Sequence, residues 1–371
     1  MEQADSVRYG VVGTGMMGVE HLRNLAAIPA ATVAAIADPH GPSQDQARAE
    51  VQKGWPSQTE LEVFPDHKSL LASSLCDALL ISSPNFTHAQ ILLDILSHPK
   101  PPHILVEKPL CTTVEDCKKV IEAARAQPGV VLHVGLEYRY MPPVARLIKE
   151  VKEGAVGRIC MVAIREHRFP FLVKVGNWNR FNRNTGGTLV EKCCHFFDLM
   201  TLIIGSKPTR VMASGGQSVN HLDEKYDGET PDILDNAYVI VEYANGARGL
   251  LDLCMFAEGS RNEQEISVVG DKGKIEALVP ENIVRTGSRT GGRDGVATSP
   301  CHDYRIRYEG LHHGSSYLEH LDFLREIREA GKVPPTVSLE DGLLSVAIGV
   351  AAHLSIDEQR PVLLQEVLSD N

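Results

Sequence analysis

The chain has 371 residues, with 37 Lys and Arg against 48 Asp and Glu, a formal net charge of −11. At roughly 150 residues per domain this length predicts about two domains. Its 43% hydrophobic and 23% charged residues fit a globular chain with a sizeable core and exclude a disordered acidic tail, and the acid excess argues against nucleic acid or an anionic membrane as main partner.

The opening MEQADSVRYG has neither the basic nor the apolar stretch of a secretory leader, and no apolar run reaches ~18 residues. The expectation is a cytoplasmic protein without a membrane span. Eight cysteines (Cys76, Cys111, Cys117, Cys160, Cys193, Cys194, Cys254, Cys301) include no Cys-x-x-Cys pair, so they read as reduced, mostly buried thiols.

VRYGVV at 7–12 reads as a short buried strand, followed at 13–18 by GTGMMG and then by VEHLRNLAAI with helical spacing. In this strand–turn–helix unit Gly13 permits the tight turn. Gly15 lets a pyrophosphate approach, and Gly18 lets the helix pack on the strand. Thr14, Met16 and Met17 complete a loop whose helix N-terminus offers N–H groups to phosphate. A second strand at 32–37 ends in Asp38, about twenty residues past Gly18, where a carboxylate binds both hydroxyls of an adenosine ribose and repels a 2′-phosphate. Pro39 and His40 follow it, with no Arg, so NAD is favoured over NADP.

Two further strands, at 78–82 and 104–106, end before Ser83-Pro84-Asn85 and before Glu107-Lys108-Pro109. Alternating strands and helices predict a parallel sheet with helices on both faces, and ligands bind beyond the carboxyl ends of its strands. Ser83, Pro84, Asn85, His88, Glu107 and Lys108 stand where a nicotinamide would lie. Thr112 and Glu115 read as a capping box for the next helix. A Lys108 held near a cationic nicotinamide, away from bulk water, would have a lowered pKa and could relay a substrate proton. The Lys108–Pro109 bond is a candidate cis peptide. A plain surface lysine in a turn is the competing reading.

Beyond residue 130 the pattern changes. Strand-like runs at 159–164, 210–214, 237–243, 247–253 and 264–269, with turns at Asn245-Gly246 and Asp271-Lys272-Gly273, predict an antiparallel or mixed sheet. Segments 219–232 and 285–300 read as the mobile ones. The domains expected are 1–130, dinucleotide-binding, and 131–340, an α+β substrate-binding and oligomerisation domain.

A single helix is predicted over 188–204, between Gly187 and Gly205. Its Thr188, Glu191, His195 and Asp198 share one face by their spacing of three and four. A water-facing polar stripe is one reading. The other is a cleft-facing His195 oriented by Glu191, a general base for alcohol oxidation. A metal site on Glu191 and His195 completed by His312 and His313 is a weaker pattern, so no metal is assigned. The loop GNWNRFNRNTGG at 176–187 offers Trp178 and Arg180 to a polyol or sugar, and Tyr138 and Arg139 lie at the expected domain junction, a preferred place for ligands.

These motifs together, GTGMMG, Asp38, SSPNFTHA, EKP, EYRYMPP, GGTLVEKCCHFFDLM, DNAYVIVEYANGARGLL and the tail VSLEDGLLSVAIGVAAHLSIDEQRPVLL, resemble the Gfo/Idh/MocA family of nicotinamide-dependent oxidoreductases over nearly the whole chain. The resemblance implies an N-terminal Rossmann domain and a C-terminal domain with a large open-faced, mostly antiparallel sheet. It implies that the helix near 341–355 packs back on the first domain, and a homodimer or homotetramer. It implies catalytic roles for Lys108 and His195. Glu191 stands where the family usually carries Asp. The activity expected is NAD-dependent oxidation of a hydroxyl of a cyclic polyol, sugar or sugar derivative. Tyr138, Arg139, Trp178, Arg180, His195 and His313 are expected to face the substrate. A non-net-redox sugar hydrolase or epimerase, and a non-catalytic nucleotide or sugar sensor, are the alternatives.

Overall fold

The computed structural model describes residues 6–57, 60–330 and 332–369. The first five residues, part of the segment read above for a leader, lie outside them. In chain order the elements are β1 (Val7–Val12), α1 (Met16–Ala26), β2 (Ala31–Ala37), α2 (Gly41–Gly54), β3 (Glu62–Phe64), α3 (His67–Ser73), β4 (Ala78–Ile81), α4 (His88–Leu96), β5 (His103–Glu107), α5 (Val114–Arg125) and β6 (Leu132–Gly135). Then come α6 (Pro142–Lys152), β7 (Ile159–His167), α7 (Asn182–Thr185), α8 (Thr188–Glu191), α9 (Cys194–Ile204), β8 (Pro208–Gly216), β9 (Asn236–Tyr243), β10 (Arg248–Cys254), β11 (Gln264–Gly270), β12 (Gly273–Val279), β13 (Ile283–Ser288) and β14 (Ala297–Pro300). The chain ends with α10 (Ser315–Arg328), α11 (Leu339–Glu358), β15 (Val362–Leu363) and α12 (Leu364–Leu368).

The chain divides into two compact units. The first comprises the residues up to Glu137 with 174–176 and 305–343; the second comprises 138–173, 177–304 and everything from Leu344 on. In the first unit six strands run in the order β3-β2-β1-β4-β5-β6, every pair parallel. β4 is buried along its whole length, as a strand covered on both faces must be. The order reverses between β1 and β4, the switch point at whose carboxyl edge ligands bind.

In the second unit nine strands run β14-β13-β12-β11-β7-β10-β9-β8-β15. Only β7 and β10 pair in parallel; the other pairs are antiparallel. β9 alternates strictly over its first six residues, with Ala237, Val239 and Val241 buried and Tyr238 and Ile240 exposed. That period of two belongs to a sheet with one face packed and one open. Both ends of segment 285–300, expected to be mobile, are built into the sheet as β13 and β14, and the Asp235 carboxylate accepts the backbone N–H groups of Ser218, Val219 and Asn220.

Two local expectations are corrected. The α5 cap is Thr113, whose hydroxyl accepts the Asp116 N–H, one residue along from the expected Thr112/Glu115 box. The helix over 188–204 is two helices, because the ladder slips at Lys192–Cys193. Cys193 N–H reaches Thr188 O, five residues back, and Phe196 N–H then bonds Cys193 O, only three back. The units part at Glu137/Tyr138, past the expected residue 130. It is α10 and the first turn of α11 that group with the first unit; the body of α11 groups with the second. The reason lies in α11 itself. His353 Nε2 accepts the Leu189 N–H at 3.2 Å at the start of α8, and Gly349 meets the Leu189 carbonyl so closely that a Cβ would lie 2.5 Å from it. Burial lowers the His353 pKa to about 4, so the ring is neutral and can accept. By length and composition α11 is apolar enough to cross a membrane, with half of its apolar window buried in the fold.

Candidate active site

The residues expected at the site are divided between the units. In the first, Gly13 has φ +87° and a Cβ there would lie 2.4 Å from Ser83 N; at Gly18 a Cβ would lie 2.3 Å from Gly13 O. Both glycines are therefore demanded by the protein's own packing. Gly15 differs, since nothing stands within 4 Å of its hypothetical Cβ. It is the N-cap of α1 and no side chain caps that helix, so the amides after Met16 and Met17 face an open cradle suited to a pyrophosphate. Asp38 Oδ2 accepts both Thr14 N–H (2.7 Å) and Thr14 Oγ1–H (3.1 Å), while Oδ1 accepts His40 N–H (2.8 Å). Of a carboxylate's roughly four acceptor positions about one is left. Asp38 thus keeps an acceptor position open for a ribose hydroxyl.

Past β4, Ser82 Oγ donates to Gly13 O and the Ser83 hydroxyl pairs with that of Thr87, which sets the loop beside the glycine turn. The buried Asn85 Nδ2 has no partner among the described residues, a donor left for a ligand. The cradle at Gly15, the Asp38 acceptor and this amide fit a dinucleotide. His88, expected at the cofactor, is instead fully buried. Its ring nitrogens lie 2.9 Å from Pro109 O and 3.0 Å from Ser83 O, tying the two strand-end loops together, and burial lowers its pKa. Glu107 is also turned inward. Its Oε1 meets His21 Nε2 at 2.7 Å, and its Oε2 accepts the Lys108 N–H at 3.1 Å. Burial alone would raise the Glu107 pKa, but His21 and Lys108 overcome it and hold the group at about 2. Lys108 is half-buried, and the Lys108–Pro109 peptide is cis.

His21, His133, Glu137, Glu319 and His320 form a buried polar cluster behind this turn that sequence reasoning missed. Burial together with Glu107 and Glu319 raises the Glu137 pKa well above the ordinary carboxylate range. The signal was there in part: His21, three residues past Gly18, is a polar residue on a helix face that packs inward. His313 was expected at the substrate, yet it is His312 whose ring approaches Glu137, at 3.7 Å.

In the second unit the break between α8 and α9 decides the geometry. Glu191, His195 and Asp198 are 6%, 2% and 3% exposed, so the stripe faces the interior and not water. Thr188 Oγ1 donates to Leu234 O at 2.6 Å. Tyr138 lies flat on His195, and Phe196 meets Tyr138 edge-on. Lys192, turned inward at the break, donates to Tyr138 Oη at 2.7 Å and forms an ion pair with Glu166 Oε1 at 2.8 Å; Gln264 donates to the other Glu166 oxygen. Burial, with Arg168 near, lowers the Lys192 pKa.

Three expected substrate ligands thus have internal partners. The Tyr138 hydroxyl serves Lys192. The Arg139 guanidinium forks onto Asp198, its Nε 2.7 Å from Oδ2. Arg180 is buried, with its Nε donating to Glu224 at 3.0 Å. Trp178 is half-buried, and its carbonyl accepts from Asn184. Among the described residues no group of three His, Cys, Asp or Glu is arranged to hold a metal ion.

Two models of one family match, described as the NAD-binding Rossmann fold of an oxidoreductase family over residues 7–136 and its C-terminal alpha/beta domain over 148–364. The chain is 29% identical over 366 residues to myo-inositol 2-dehydrogenase of Thermotoga maritima, covering 98% of this chain and 100% of that one. It is 27% identical over 390 residues to levoglucosan dehydrogenase of Pseudarthrobacter phenanthrenivorans, covering 91% and 93%. The crystal structure of a probable dehydrogenase from Thermotoga maritima superposes with a TM-score of 0.76 at 27% identity, over 97% of this chain and 100% of that one.

Proposed function

Because the chain belongs to the Gfo/Idh/MocA oxidoreductase family, with an NAD-binding Rossmann domain, we propose that it oxidises a hydroxyl of a cyclic polyol, sugar or sugar derivative. NAD, when bound, supplies the nicotinamide that accepts hydride. Gly13, Thr14, Gly15, Met16, Met17 and Gly18 hold the pyrophosphate, Asp38 takes a ribose hydroxyl and repels a 2′-phosphate, and Ser83, Pro84 and Asn85 line the nicotinamide end. His195 takes the hydroxyl proton on an imidazole nitrogen. Lys108 Nζ donates to the developing alkoxide oxygen and helps relay the proton. Glu191 orients His195, and Trp178 and His313 meet substrate hydroxyls.

The observation that carries this reading is the turn at Lys108. A lysine at the carboxyl end of β5 is held by its own neighbours at the edge of the sheet where ligands bind. The inositol and levoglucosan dehydrogenases to which the chain is similar support the substrate class. The test is NADH formation across inositols, anhydro sugars, aldoses and sugar acids, with NAD and with NADP. One class is expected to react, with NAD preferred. Lys108→Ala and His195→Ala are each expected to lower kcat about 100-fold or more. Near-wild-type turnover of either variant would overturn the role assigned to it.

We also place the protein in the cytoplasm, where its eight free thiols stay reduced. We infer a homodimer or homotetramer through the open face of the second sheet. There Ile240 and Leu250 stand directly opposite one another with Tyr238 and Met161 close by, all exposed. Ile240→Lys with Leu250→Lys is expected to lower the mass measured by light scattering; an unchanged mass would place the interface elsewhere.

A further inference from the structure

We propose that His21 is a positioning residue for Lys108, acting through Glu107, with His320 fixing the orientation of the His21 ring. This rests on the role given to Lys108 above. Three links make the chain, all in the first unit. His320 Nε2 lies 2.9 Å from His21 Nδ1, His21 Nε2 lies 2.7 Å from Glu107 Oε1, and Glu107 Oε2 accepts the Lys108 backbone N–H at 3.1 Å. The two imidazoles stand perpendicular, with centroids 5.0 Å apart, so each nitrogen of His21 is aimed at one partner. All three side chains are buried.

A buried ion pair is poor value as a stabiliser, since apolar residues of the same volume serve as well. Its usefulness here is directional. Glu107 spends one oxygen on a fixed ring and the other on the peptide that carries Lys108. His88 reaches the Pro109 carbonyl on the far side, so the backbone around Lys108 is held from α1 and from α4.

The protonation states agree with the geometry. Burial acts against a charged His21, but Glu107 above all, then Glu319 from α10 and Glu20 from its own helix, raise its pKa. Burial and the His21 charge hold His320 neutral. The raised His21 pKa favours donation toward Glu107, and a neutral His320 can accept from the other His21 nitrogen. On the far side of Glu107 stand Lys108 and His312, which favour its charge, and Glu137, whose own pKa Glu107 helps to raise. Removing the His21 charge leaves Glu107 buried with weaker support, and its pKa rises toward neutrality.

The test uses the full chain, with and without NAD. The Lys108 side chain is followed by NMR of isotope-labelled lysine, its resonance assigned by its loss in Lys108→Ala, beside the pH dependence of kcat. In His21→Leu the Lys108 resonance is expected to move and to titrate with a new ionisation between wild-type limits. The same ionisation appears in the kcat profile, kcat falls about tenfold or more, and the NAD dissociation constant changes by less than about twofold. His21→Gln, which keeps a donor to Glu107, recovers most of kcat. The double variant His21→Leu/Glu107→Gln loses the new ionisation.

A folded His21→Leu whose Lys108 resonance and pH profile superpose on wild type overturns the proposal. Should His21→Leu fail to fold, Glu107→Gln decides: a moved Lys108 resonance supports the proposal and an unmoved one overturns it. Silence across the substrate panel together with a moved resonance removes the dehydrogenase reading and keeps the positioning. Turnover that depends on Lys108, with an unmoved resonance, does the reverse.

Discussion

The phenol ring of Tyr138 lies on the imidazole of His195 with centroids 4.0 Å apart and planes 6° apart. A base that must meet a hydroxyl in one orientation gains from a flat surface that fixes its ring plane. Such a pair adds about 0.5–1.5 kcal/mol beyond the area it buries. Lys192 secures the other end, bonding the hydroxyl and standing 4.9 Å from the ring centroid.

The stack and the Lys192 bond are separable. Tyr138→Phe keeps the stack and removes the acceptor, so kcat is expected to fall less than about tenfold. Tyr138→Leu removes the stack as well and is expected to fall further, and its cavity costs about 2–4 kcal/mol in a urea melt. Lys192→Met leaves Glu166 without its nearest cation and costs about 3–5 kcal/mol, part of which Lys192→Met/Glu166→Gln restores. Equal kcat losses in Tyr138→Phe and Tyr138→Leu would show that the stack does not orient the base.

Gly15 and Gly18 make opposite demands although both belong to the glycine loop. Gly15→Ala places its methyl in open space, so the melting temperature is expected to hold while NAD binding weakens about tenfold or more. Gly18→Ala drives a methyl to 2.3 Å from Gly13 O, and about 1–3 kcal/mol of stability is lost. Thermal melts beside fluorescence titration with NAD separate the two. Wild-type NAD affinity in Gly15→Ala would remove the pyrophosphate from this loop.

Burial acts against charge on His133, but Glu319 and Glu326 outweigh it and raise its pKa from 6.5 to about 9. The folded protein holds this proton more tightly than the unfolded chain. The resulting stability is complete below pH 6.5 and is lost as pH rises through about 9. The loss is of the order of 3 kcal/mol at most. Urea melts between these limits are expected to show it. In His133→Phe the slope disappears, and a wild-type slope persisting in that variant would assign it to another group.

The sequence by itself determined the strand–glycine–helix opening, the parallel-to-antiparallel change along the chain, Lys108 past a strand end and His195 on a mostly apolar helix. These are matters of period, turn chemistry and glycine placement, and each is decided within a few residues. Only the tertiary structure decided which partner each polar side chain meets. Tyr138, Arg139 and Arg180 looked like ligands for a sugar because local pattern shows a donor without showing Lys192, Asp198 or Glu224 opposite it. His21 looked like an ordinary helix residue because His320 lies 299 positions away. The slip between α8 and α9 was hidden for the same reason. What turns Lys192 inward is Glu166 on a distant strand, and a buried charge finds its place through the partner that compensates it.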